Sequence, residues 1–376
     1  MSSHPASSLL ALAATLSLLT PLRSAAAQFD VFYGSPNDGA GNGISIGRFD
    51  STTGTLTSPH LAVEAAGPSF FIIAPDGKHL YACLEKAAKV AAYEISPTDH
   101  ALKLLNTQPS GGAGPCHISL DQTGRFALVA NYDAGSVSVL PISADGSLGA
   151  STGFDQQAGT GPDKDRQEGP HAHGIITDPS NRFALCCDLG NDRVYVYHFD
   201  AKTGKLTPND PAWGVVSPGS GPRHPIFSKD GKVLYVINEM GATVTAFNWD
   251  PAKGTLTEFQ TVKTLPANFT AFNKDAEIKL DPSGKFLYAS SRGHDCIAVY
   301  SIDKTGGLSQ IQDVDNRGKT PRYFSFDPTG HWVISGSQDS NTVAVFRADS
   351  GMLTPVGDPV AAPAPICMQF LPVAGR

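Results

Sequence analysis

Apolar residues along this chain come in short bursts, each broken by a polar turn and resumed at once. The phrase reads FFIIAPDGKHLYAC from Phe70, HISLDQTGRFALVAN from His117 and GIITDPSNRFALCCD from Gly174. It returns as PIFSKDGKVLYVINE from Pro225, EIKLDPSGKFLYASSR from Glu277 and YFSFDPTGHWVISGS from Tyr323. Two apolar runs around a Gly-bearing turn predict a β-hairpin. The turn residue falls at Gly77, Gly124, Asn181, Gly231, Gly284 and Gly330, so the intervals are 47, 57, 50, 53 and 46. Asn181 is the one non-glycine, and Asn best tolerates the left-handed conformation in glycine's place. A third strand with strict alternation follows, as in Val194-Tyr195-Val196-Tyr197 and Val244-Thr245-Ala246-Phe247. An Asp-x-x-x-Gly-x-Leu turn, as in Asp200 to Leu206, then leads into a fourth. Four strands in about fifty residues make one blade of a β-propeller.

Six complete phrases leave the two ends of the chain over. FDVFYGSPNDG and GISIGRFDSTTGTLT read as the second, third and fourth strands of a blade that lacks its first. Pro365 to Phe370 reads as a first strand without the rest. The halves complement each other, which predicts an all-β, seven-bladed propeller of four-stranded blades whose terminal strands share one blade. Such closure leaves no open sheet edge. A solenoid would need polar caps, and none is present.

Composition agrees: Gly (38) and Pro (28) are frequent and charged residues make up only 17%, as many tight turns require. Residues 1–27 stand apart. Leu9 to Leu19 is apolar, Pro21 breaks the run, and Ala25-Ala26-Ala27 supplies small residues for cleavage. This predicts a signal peptide, a secreted protein and a mature propeller domain over 28–376. The run is too short to span a bilayer, so no transmembrane span is expected in the mature chain. The net charge is −7, and loss of Arg23 with the leader makes it 27 − 35 = −8. That balance argues against nucleic acid or an anionic membrane as partner. None of the six cysteines has CxxC or zinc-ligand spacing, so buried free thiols are expected. Asn268-Phe269-Thr270 is a glycosylation sequon in a loop-like stretch.

Four segments, GPHAHGIITDPSNRF, GPRHPIFSKDGKVLYVINE, SSRGHDCIAVYSID and GKTPRYFSFDPTG, resemble the lactonase family of seven-bladed propellers. That family holds the propeller-type 6-phosphogluconolactonase and the fungal 3-carboxy-cis,cis-muconate lactonizing enzyme. The resemblance runs from Gln28 to Phe370. It implies an active site of a His, an Arg, a Glu and a second Arg in the central cleft. These are His171 or His173 of the PHAH segment, Arg223, Glu239 and Arg292. Neither lactone hydrolysis nor the reverse cyclisation needs a metal, and no cofactor is expected.

The repeat points the same way. Five residues before the turn Asp or its equivalent lie Ser69, Cys116, His173, Arg223, Ala276, Arg322 and Ile366. Eight residues beyond the turn residue lie Glu85, Tyr132, Leu189, Glu239, Arg292 and Gln338. Innermost strands line the hub, so equivalent slots form rings around its axis. His224, His294 and Arg322 are expected to add substrate contacts. Clustered guanidiniums bind carboxylate or phosphate through paired hydrogen bonds, so a small anionic substrate is expected. They also keep Glu239 ionised, which suits it as a base. In lactone hydrolysis an Arg would stabilise the tetrahedral oxyanion, and Glu239 or the His would activate water. The same groups would serve cyclisation of an unsaturated diacid. No carboxylate cluster has calcium spacing and no Gly-x-Ser-x-Gly elbow occurs. Each residue has a plainer reading: Arg223 and Glu239 as a structural ion pair, Arg292 and Arg322 as rim charges, each His as a partner for a backbone carbonyl.

Two functions stay open. One is a lactonase or lactonizing enzyme. The other is a secreted, non-catalytic propeller that binds partners at the cell surface, because Tyr235-Val236-Ile237-Asn238 resembles the repeat of surface-layer propellers. Trp249-Asp250 is the one Trp-Asp pair, too few for a WD-repeat protein. Export itself argues against 6-phosphogluconolactone, a cytosolic metabolite. Polar residues converging on one end of the hub favour the enzyme, and polar residues on separate surfaces favour the binder.

Overall fold

The computed structural model describes Met1, residues 28–36 and residues 42–373; the expected leader, apart from Met1, lies outside the described residues. Seven antiparallel sheets form a ring in which each innermost strand packs against those of its two neighbours. Blades 1 to 6 begin with the innermost strands Pro68–Ile73, Pro115–Leu120, Ala172–Thr177, Pro222–Phe227, Lys274–Leu280 and Pro321–Phe326. Blade 7 takes its innermost strand, Cys367–Pro372, from the C-terminal end and pairs it with Gln28–Ser35. The register runs from Phe29↔Pro372 to Gly34↔Cys367, as the complementary half-repeats predict. Its outer strand is split into Thr55–Leu56 and His60–Glu64, both paired with Gly43–Asp50.

The repeated turn has a plain physical basis. Asn181 adopts φ +59°, close to Gly124 at +68° and Gly231 at +71°, so the left-handed position is shared by all of them. Asp178 Oδ1 accepts the backbone N–H groups of Arg182 and Phe183 at 2.9 Å each, and Asp121, Asp281 and Asp327 repeat this bond to their own turns. Tyrosines of second strands latch neighbouring blades: Tyr81 donates to Gly146 O (3.0 Å), Tyr235 to Gly306 O (2.8 Å) and Tyr288 to Gly351 O (2.9 Å). All six cysteines are buried free thiols, as expected.

One feature of the innermost strands positions the site. In each of blades 1 to 6 the pairing with the second strand slips by one residue near its start. The residue left without a partner is Ser69, Cys116, His173, Arg223 or Arg322, and in blade 5 the slip covers Ala276-Glu277. A bulge re-aims the side chain of the extra residue. The slot found by counting is therefore the bulge.

Candidate active site at the strand-start mouth of the hub

Glu239 follows the second strand of blade 4, and its backbone N–H bonds Gly221 O at 2.8 Å. Its carboxylate meets three guanidiniums. Arg223 Nε lies 3.1 Å and Arg292 Nη2 2.7 Å from Oε2, while Arg166 Nη2 lies 2.8 Å from Oε1. Arg223 also donates to Ala276 O of the next blade (2.6 Å), and Arg292 to Asp275 O of its own blade (2.9 Å), so both are fixed by backbone carbonyls. Arg166 further reaches the Tyr132 hydroxyl at 3.2 Å. Arg322 adds charge to the same group, and among the described residues it has no ion-pair partner. Lys274 lies alongside.

Burial opposes ionisation of Glu239, but Arg292 and Arg223 outweigh it and hold the carboxyl well below the usual range. Burial, then Arg292, lowers Arg223 to about 9. His173 is buried beside the cluster, with its ring edge-to-face on Tyr132 (5.6 Å) and on His224 (5.1 Å). Burial and the Arg223 charge push its pKa well below 6.5, so the ring is neutral. Among the described residues, the one hydrogen-bond contact of its ring nitrogens is the Cys116 thiol, 3.9 Å from Nδ1.

The structure separates the two histidines of the PHAH segment. His171 is held between the Tyr132 carbonyl (3.0 Å from Nδ1) and Glu168 (3.1 Å from Nε2), and it stacks on Tyr132 at 4.5 Å. It orients the wall of the mouth, while His173 lies within it. His294 is not brought to the group. It pairs with Asp313 of the outer strand at 2.7 Å and packs on Phe269. The turn after Arg292 carries it away from the axis, which corrects its placement as a substrate contact. His224 lies one residue beyond the bulge and faces deeper into the hub, against Glu277. Asn268 is exposed in the loop between blades 4 and 5. Arg193, on a third strand, caps Trp213 at 4.1 Å, away from the mouth.

Arg166 has no place in the repeat slots. It sits in the segment between blades 2 and 3, inside the longest turn-to-turn interval, from Gly124 to Asn181. That excess length is the signal that marks an insertion there. The segment is pinned by the buried Gln167, whose amide donates to Leu189 O (2.8 Å) and Asp192 (2.9 Å).

The arrangement places three guanidiniums on one carboxylate beside a neutral imidazole. The family description for the seven-bladed β-propeller lactonases matches residues 30–370, which takes in every blade. The chain belongs to the lactonase family. This lactonase-family chain is 34% identical to the 6-phosphogluconolactonase of Bacillus subtilis, covering 90% of itself and 97% of that protein. It is 33% identical to the 6-phosphogluconolactonase of Formosa agariphila, covering 85% of itself and 92% of the relative. Among solved structures, the periplasmic gluconolactonase of Pseudomonas aeruginosa superposes with a TM-score of 0.86 at 29% identity, over 92% of this chain and 99% of that one.

Proposed function

We propose that this protein is a lactone hydrolase acting on a small anionic lactone at the strand-start mouth of the hub. The observation that carries the reading is the convergence of Arg223, Arg292 and Arg166 on Glu239 with His173 alongside. Residues from blades 3, 4 and 5 and from one insertion gather at one end, as an enzyme requires and a scattered binding surface does not. The 6-phosphogluconolactonase relatives lend the reaction type.

Arg322, with no ion-pair partner among the described residues, and Arg166, the most exposed of the three guanidiniums on Glu239, are the cations best placed to meet the substrate's anionic group; Arg223 and Arg292 are buried and held by backbone carbonyls as well. An oxyanion formed at the lactone carbonyl gains most from donors that need no rearrangement, and Arg292 and Arg223 are already fixed. We assign water activation to His173. A neutral imidazole takes a proton from water as the C–O bond forms, then returns it to the leaving ring oxygen as that bond breaks. Glu239, with each oxygen already engaged by a guanidinium, acts as the positioning residue for the arginines. Export through the residue 1–27 leader is part of this proposal and directs attention to lactones outside the cytosol.

The test is a pH-stat screen of purified protein on glucono-1,5-lactone, its 6-phosphate, a glucarolactone and a muconolactone. The anionic lactones should show the lower KM. A preference for neutral glucono-1,5-lactone would overturn the charge argument, and turnover of the muconolactone alone would move the chain to the lactonizing branch.

A further inference from the structure

The hub is divided at mid-height. Phe70, His117, His224 and Tyr323 form a layer of rings: Phe70 lies 4.4 Å from His117 and 5.7 Å from both His224 and Tyr323, and His117 lies 4.9 Å from His224. The Arg–Glu mouth is on one side. On the turn side lies a separate cavity of about 420 Å³, walled by this layer and by Ser119, Thr177, Glu277, Lys279 and Gln369. That volume falls in the ~300–1,000 Å³ range of small-molecule sites.

Two buried polar atoms in its wall have no hydrogen-bond partner among the described residues: Glu277 Oε2 and Ser119 Oγ. Glu277 is 2% exposed, and its other oxygen is fully used, by Ile278 N–H (3.0 Å), His224 Nδ1 (3.3 Å) and Lys279 Nζ (3.4 Å). A carboxylate oxygen kept from both water and protein costs several kcal/mol unless something donates to it. Ile175 N–H donates to His117 Nδ1 at 3.3 Å, so the neutral ring carries its proton on Nε2. Burial, with help from Lys279 and Arg223, lowers the His117 pKa to about 3, against the pull of Glu277.

We propose that the turn-side cavity is a second ligand site and takes a neutral, hydroxyl-rich small molecule. The charges select neutrality. Glu277 and Lys279 already cancel, and both histidines are neutral. An anion would face the open oxygen of Glu277. A cation would face Lys279, with Arg223 behind His224. Hydroxyl groups fit both demands: one donates to Glu277 Oε2, another exchanges with Ser119 Oγ, and the ligand's apolar C–H face lies on Phe70.

The test is saturation-transfer NMR on the full chain with three probes of one frame: D-glucose, D-glucuronate and D-glucosamine. D-glucose should bind saturably. Glu277→Gln should weaken it about tenfold or more, the loss of one charge-assisted hydrogen bond. Ser119→Val, which fills the wall with methyls, should do the same and decides the matter if Glu277→Gln fails to fold. Arg292→Lys, beyond the ring layer, should leave D-glucose binding unchanged. Glucuronate binding that survives Glu277→Gln but falls in Arg292→Lys belongs to the mouth and fits the proposal. No saturable D-glucose signal (a cavity holding water only), or Glu277-dependent binding of either charged probe as strong as that of glucose, would overturn it.

Discussion

Replacing Glu239 with Gln keeps the side chain's shape and removes the single negative charge on which Arg166, Arg223 and Arg292 converge. The pair Glu239–Arg223 is almost wholly buried, at 6% and 4% side-chain exposure, so water screens little of the change. Each close pair is worth ~4 kcal/mol gross at an effective dielectric of 20. Much of that offsets the cost of desolvating the ions, and removing one partner of a buried pair typically costs ~3–5 kcal/mol. Unfolding entropy of ~2.1 cal/mol/K per residue over ~345 residues gives ~0.7 kcal/mol/K, so Tm should fall by ~4–7 °C. Scanning calorimetry and urea unfolding read this directly. Adding Arg166→Gln should restore part of the loss, because it removes one of the uncompensated cations. KM for an anionic lactone should move with kcat, since the arginines that meet the substrate lose their anchor. A Glu239→Gln protein with unchanged Tm and KM, and kcat down by ~10²–10⁴, the span of a lost general base, would refute this reasoning and make Glu239 the base.

The remaining predictions are simpler. His173→Gln should abolish turnover with the fold intact, whereas His171→Ala should cost stability more than kcat; the reverse pattern would exchange their roles. The acid limb of kcat/KM should lie below pH 6.5, because burial and Arg223 lower the folded His173 pKa and the ring stays neutral as pH falls past the ordinary imidazole value. A limb above pH 7, traced with a buffer-corrected lactone assay, would exclude His173 as the base. Arg292→Lys should lower kcat for an anionic lactone more than it raises KM, because the oxyanion loses a fixed planar donor. Arg193→Ala, whose side chain caps Trp213, should leave activity nearly unchanged. Deleting residues 365–376 should expose the edges left by the lost strand and abolish cooperative unfolding, read by denaturant titration.

Seven blades, their closure through shared terminal strands and the ring positions of His173, Arg223, Glu239 and Arg292 were legible in the sequence. These depend on a local pattern, strand–turn–strand, written out six times with a left-handed turn residue each time and the same Asp in four of the six. Repetition turns a weak local signal into a register, and the register alone places Glu239 and Arg292 in one ring, where they touch at 2.7 Å. Only the tertiary structure decided where side chains point. A one-residue bulge in the innermost strands of blades 1 to 6 turns His173 and Arg223 into the mouth, and nothing in an apolar burst announces the slip. Which histidine of the pair lies in the mouth follows from Tyr132, contributed by the preceding blade, which takes up His171. His294 was misplaced because its partner, Asp313, is 19 residues away on the outer strand. Arg166 stayed hidden because its segment has no period, and only the folded ring brings it 73 residues along the chain to Glu239. Periodic backbone hydrogen bonding fixes the scaffold from local sequence, while the charges in the hub find their partners across blades, where sequence distance carries no information about space.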